Sequence, residues 1–245
     1  VTKELTTTNT IVMKPLLLLL FFSLSSGLFS QSQNAEIVQS KSPQTKSEKM
    51  LGSWYMYHGN HQISERYSLI SGFQLRTYET VNNHNLSFGY FGVARSLKNN
   101  VSVALKYGYL EIDRSIEFTD QPNAIEHRLM EHLTHKFTLK DHKVLQRLQL
   151  EHRFIHFVDT NTTQHRLRYR LGYQYGLSSL LTFDINNEFF FHHDRKSYRE
   201  NRFYAGFNVK TSSHTKLKVG YMKQFINEQY LDRLQIGLIL TTNFR

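Results

Sequence analysis

The sequence predicts an all-β protein, a transmembrane antiparallel up-and-down β-barrel of about 10–12 strands. Three observations carry this expectation. From Leu51 onward the dominant period of hydrophobicity is two, the period of a strand with one apolar face. The segments that alternate run about ten to thirteen residues, which suits a tilted strand crossing a bilayer and exceeds the usual five or six of soluble sheets. Short and long links alternate between them, as tight turns and larger loops do at the two ends of an outer-membrane barrel.

In chain order, strands are expected over 51–58, 67–78, 85–95, 101–110, 126–139, 144–157, 165–175, 180–191, 199–211, 216–225 and 232–244. Short turns fall at 96–100, 140–143, 176–179 and 212–215, and longer links at 79–84, 111–125, 158–164, 192–198 and 226–231. The strands from 67–78 to 232–244 make an even set with both ends on the short-turn side. Segment 51–58, "LGSWYMYH", is then surplus. It is expected to plug the lumen, lie at the rim or pair with a further strand.

Residues 1–30 read as a secretory signal peptide, with 1–12 as an over-long start before Met13. Lys14 supplies the basic region, Leu16 to Leu24 the apolar core, and Ser25, Ser26, Gly27 and Ser30 the small residues before cleavage. Residues 31–50 read as a flexible polar leader, and 51–245 as the barrel. There is no cysteine, so export brings no disulfide and no lipid-anchoring thiol.

The formal net charge is +10. Nucleic acid, acidic lipid headgroups or an anion path would each fit that sign. The bases alternate along strands of an exported chain, which argues against nucleic acid. The expected partners are outer-membrane lipid or lipopolysaccharide, and the assembly machinery acting through the C-terminal strand.

One face of each strand is apolar. It carries Leu69, Phe73 and Leu75; Leu86, Phe88 and Tyr90; Val103, Leu105, Tyr107 and Tyr109; Leu148, Leu150 and Phe154; and so on to Leu234, Ile236, Leu238 and Leu240. Aromatics at strand ends, including Tyr67, Tyr78, Tyr173 and Phe191, form the expected girdles. The other face is charged, with bases in excess over acids. "RLRYRLGYQY" places Arg166, Arg168 and Arg170 on that face. A turn near 176–178 sets Arg166 and Arg170 opposite Glu188 and Asp184, and Glu151 lies beside Arg168 or Arg170. Arg147, Glu151, Arg153, Arg166, Arg168, Arg170, Asp184, Glu188 and Arg202 are therefore expected to form a lumenal salt-bridge network.

"GSWYMYHGNHQISERYSL", "EHRLMEHL", "LQLEHRFI", "HRLRYRLGY" and "NRFYAGFNVKTSSHTKLKVGYMKQ" taken together resemble the bacterial family called domain of unknown function 2490, common in Bacteroidetes. The resemblance spans nearly all of 51–245. It implies an exported, outer-membrane, β-rich protein of unassigned activity and carries over no catalytic residue. The final Arg245, after Phe244, departs from the terminal aromatic usual in such barrels.

Chemistry-bearing clusters are few. With 139 set opposite 144, Glu131 faces His152 and His127 faces His156 on the otherwise apolar face. This is an interfacial polar belt, with Glu131 and His152 as the one candidate acid–base pair. His192, His193 and Asp194 are adjacent on a link, a poor spacing for a shared metal. Ser71 is the clear outward-face serine, with no histidine paired to it in the expected register. No cofactor motif occurs. The expected function is a non-enzymatic envelope barrel, a narrow channel or structural protein. The alternatives are a lipid- or lipopolysaccharide-modifying enzyme and a secreted barrel with its apolar face turned inward around a ligand.

Overall fold

The computed structural model describes residues 46–116, 123–193 and 199–244. The signal-peptide and most leader expectations, and Asp194, lie outside those residues. Eleven strands close into one barrel. They are β1 (Leu51–Gln62), β2 (Tyr67–Thr77), β3 (His84–Ser96), β4 (Val101–Asp113), β5 (Asn123–Leu139), β6 (His142–His156), β7 (Asn161–Gly176), β8 (Leu181–His192), β9 (Glu200–Lys210), β10 (Thr215–Ile226) and β11 (Gln229–Asn243). The all-β barrel and a strand number between ten and twelve are thus as the sequence predicts.

The surplus segment is not surplus. β1 runs on to Gln62, pairs antiparallel with β2 and parallel with β11, and so closes the barrel. The strand number is odd, and the up-and-down order is broken at this one seam. A barrel must leave no edge strand unsatisfied, and a parallel ladder satisfies it as an antiparallel one does. Both β1 and β11 begin at the end that carries the longer links. The tail of the expected leader is ordered there: Ser47–Lys49 forms a 3-10 turn, and Glu48 Oε1 accepts the Tyr230 N–H at 2.9 Å.

Two of the expected long links are short. β6 and β7 are joined by 157–160 and β10 and β11 by 227–228, because "NTTQ" and the ends of β10 and β11 continue as strand. Asn227, Asn99, Asn100 and Lys140 adopt positive φ in the tight turns. Asparagine tolerates that region better than most residues, which explains "SLKNN" between β3 and β4.

Apolar side chains cover the outside. Leu69, Phe73, Leu105, Leu148, Phe207 and Leu238 are all exposed. Glu126, Glu151, Arg128, Arg166, Asp184 and Glu188 are buried in the interior. The reading of an apolar cavity inside the barrel is therefore wrong. One strand face was also misassigned: Leu86, Phe88 and Tyr90 point inward, and Phe91 and Val93 point out. β3 is apolar on both faces, so its period does not tell inside from outside. Tyr78 is likewise buried rather than part of a girdle, and lies 3.2 Å from the carbonyl of Asp113.

The seam is testable because the chain has no native cysteine. Tyr57 pairs with Leu238 across β1 and β11. In a Tyr57→Cys/Leu238→Cys variant, oxidation is expected to form an intramolecular disulfide that compacts the denatured chain, so that its band runs faster on a non-reducing gel than after reduction. Absence of that crosslink in folded protein would contradict parallel closure.

Candidate functional site: the lumenal charge network

Alternation places one residue in two of every strand inside the closed sheet, and β5 to β9 each contribute at least two charged residues there. Charges taken from water need partners with good geometry. They find them across neighbouring and next-neighbouring strands. Glu151 on β6 is fully buried and takes Arg166 Nη2 at 2.5 Å, Arg168 Nη1 at 2.7 Å and Arg128 Nη1 at 3.6 Å. Glu126, also fully buried, takes Arg128 Nε and Arg153 Nη2, each at 2.7 Å. Glu188 takes Arg147 at 2.8 Å and Arg168 at 2.7 Å. Glu200 takes Arg202 at 2.5 Å and Arg166 at 3.5 Å. Arg168 thus bridges two acids and Arg166 two, so the pairs join into one web. Asp184 stands beside it, 2.7 Å from Lys218 Nζ and 3.3 Å from Asn208 Nδ2.

Aromatic rings take the guanidinium faces that carboxylates leave free. Arg202 lies 4.4 Å from the Phe190 ring centroid and 5.0 Å from that of Trp54, and Arg76 lies 3.6 Å from that of Trp54. Arg168 and Arg166 also sit over Phe190, at 4.7 and 5.0 Å. Guanidinium stacks on such rings readily and ammonium less so, which suits arginine here. Tyr204 fills the space beside Trp54 and Met222, and Gly206 and Gly220 leave room for its ring, since a Cβ at either would collide with its hydroxyl.

Every residue of the expected network points inward, but the pairing differs. Arg170, not Arg166, lies opposite Glu188; Arg166 lies opposite His192, and Gln174 opposite Asp184. The turn is centred near 179 rather than 177, because 177–180 forms the link and β7 runs through Gly176. Glu151 lies opposite Arg166. Arg170 is the exception to the web: among the described residues it makes no ion pair, and its Nε is buried without a hydrogen bond.

The outward polar belt also shifts register. Glu131 lies opposite Leu150 and His152 opposite Leu129, while His127 lies opposite Phe154. The turn is the two residues Lys140 and Asp141, which moves the hairpin by two positions. Glu131 and His152 still approach diagonally, 3.7 Å apart, and His152 Nδ1 lies 2.8 Å from His165 Nδ1. His192 ends β8 and His193 follows it, and no cluster of three metal-ligating side chains is found among the described residues.

One grouping was missed. His61 Nε2 lies 3.2 Å from Ser71 Oγ, and His61 Nδ1 lies 2.8 Å from Thr242 Oγ1, all on the outside of the barrel. The expected first strand stopped at 58, three residues short of His61. Residues 59–62, "GNHQ", contain no apolar side chain, so no hydrophobic alternation carries the strand on to His61.

The web predicts a sharp contrast between two glutamates. Glu151→Gln leaves Arg166 and Arg168 short of a partner in a dry interior and is expected to cost about 3–5 kcal/mol in denaturant unfolding of the refolded protein. Glu131→Gln, on the exposed outer face, is expected to cost less than about 1 kcal/mol. Similar small losses for both would contradict the web.

The family model described as Protein of unknown function (DUF2490) matches residues 51–235, which is β1 through nearly half of β11. No curated protein matches the chain. The family match spans most of the barrel, and the chain belongs to the DUF2490 family.

Proposed function

We propose that this chain is an outer-membrane barrel whose lumen is closed rather than conducting, so that it serves the envelope through its wall and ends and not as a through-pore. The observation that carries the proposal is the inversion of polarity: exposed leucine, valine and aromatic side chains outside, a buried ionic web inside. A surface of that kind is costly in water and is favourable against lipid tails.

The interior argues against a channel. Toward the longer links, Trp54, Glu126, Phe190 and Leu231 are buried, with accessibilities of 7% or less. Toward the shorter turns the lumen opens, and Lys136, Lys143, Lys210 and Lys216 are exposed. A cavity of about 260 Å³ lies there, lined by Lys140, Lys143, Lys210 and Lys216 with Asp141 and Asn208. The mouth is basic and the floor is the ionic web, which makes a blind vestibule. Conduction would require the web to part, and each broken pair would leave a buried charge unsatisfied.

Protein from an isolated outer-membrane fraction is expected to migrate faster unboiled than boiled, and to give no steady conductance in planar bilayers. Recovery in a soluble fraction without detergent would overturn the membrane placement. A reproducible single-channel current would overturn the closed lumen.

A further inference from the structure

We infer that Ser71, His61 and Thr242 form a nucleophilic site on the outer wall of the barrel that cleaves fatty-acyl esters at the edge of the bilayer. The three residues come from β2, β1 and β11, and only closure through β1 brings them together. Ser71 and Gly59 are register partners, and His61 and Thr242 are partners on the other side. With its Nδ1–H donated to Thr242 Oγ1, His61 turns the Nε2 lone pair toward the Ser71 hydroxyl. That is the arrangement of base, orienting group and nucleophile that hydroxyl activation requires.

Gly59 makes the site. A Cβ there would collide with Ser71 Oγ, His61 Nε2 and the Tyr57 hydroxyl together. The three groups therefore converge over one bare stretch of backbone, and Tyr57 brings a hydrogen-bond donor beside the nucleophile. His61 is braced from behind by the Phe244 ring, stacked at 6.1 Å with an interplanar angle of 27°.

The surroundings name the substrate class. Phe91 is the β3 partner of Ser71, and Leu69 and Phe73 flank it along β2. All three are exposed, Phe91 at 64%. They offer an acyl chain an apolar bed with the hydroxyl at its edge. His61 lies beside the 63–66 turn, so the site sits near the end of the apolar wall, where ester bonds of a lipid lie. This choice of substrate rests on the outer-membrane reading; the nucleophile itself does not.

The reaction balances without a metal or cofactor. Ser71 Oγ bonds to the acyl carbon as its proton passes to His61 Nε2, and the carbonyl electron pair moves onto oxygen, where the Tyr57 O–H donates. Collapse breaks the bond from carbon to the alcohol oxygen, and the alcohol leaves with the proton from Nε2. Water then gives a proton to Nε2 and adds to the acyl carbon. Ser71 leaves with that proton, and a free fatty acid is released. Thr242 touches no reacting atom and is a positioning residue.

The test uses the full chain in detergent with a fluorophosphonate probe, alongside mixed micelles of phosphatidylethanolamine. The wild type is expected to take the label on Ser71 and to release fatty acid. Ser71→Ala should lose both while remaining heat-modifiable. His61→Asn should slow labelling about a hundredfold or more, and Tyr57→Phe should slow labelling and release together. Thr242→Val should fall about tenfold and Thr242→Ser should recover, which a merely structural role would not require. A folded wild type that takes no label and releases no fatty acid would overturn the inference, as would label that persists in Ser71→Ala. Label on Ser71 in a protein that does not fractionate with the outer membrane would uphold the nucleophile and overturn only the lipid ester as its substrate.

Discussion

The rest of this structure depends on keeping Glu151 and its fellow acids charged and paired in a space shielded from solvent. Moving a carboxylate from water into a protein interior costs several kcal/mol even after relaxation, and three arginines around one glutamate are the compensation. Their guanidinium planes then need surfaces of their own, which Phe88 supplies to Arg128 and Phe190 to Arg166 and Arg168. Aromatic rings inside the barrel thus serve the charges. With polar groups claimed by the interior, the outer wall is left to leucine, valine and phenylalanine. Charged groups fill the interior and apolar ones the wall, and the interior holds the wall in shape through side chains that reach across more than one strand.

The second constraint is closure. An odd number of strands forces one parallel seam, and the seam decides what stands next to what. Without β1, β2 would meet β11 directly and neither Ser71 nor Thr242 would see His61. The parallel pairing also sends the start of β1 and the start of β11 to the same end, where Glu48 fastens the entering chain to Tyr230. The two ends of the barrel consequently differ. One is capped by the ionic web and by the entry of the chain, and the other is an open basic mouth.

Much of this was legible in the sequence. Strict alternation in "RLRYRLGYQY" puts its arginines on one face, and a closed sheet with a charged face and an apolar face has few solutions. What sequence could not supply was register. Moving the 177–180 link by two residues changes which arginine meets Glu188, while every residue keeps its face. β3 shows the other limit: Leu86, Phe88, Phe91 and Val93 give no contrast between its faces, so only its neighbours place it. The first strand was cut short because Gly59, Asn60 and His61 are weak strand formers. One of their two ladders comes from β11, almost two hundred residues away in the chain, and no local propensity reports that.

The most direct test of the central claim, charge inside and lipid-facing apolar residues outside, is a spin-label scan of β4 in a reconstituted bilayer. The chain has no cysteine, so single cysteines at Val103, Ala104, Leu105, Lys106 and Tyr107 each carry one label. Oxygen, which partitions into lipid, should relax the labels at 103, 105 and 107 strongly and those at 104 and 106 weakly. The inverse pattern, or labels at 103, 105 and 107 reached by a water-soluble nickel chelate, would contradict it.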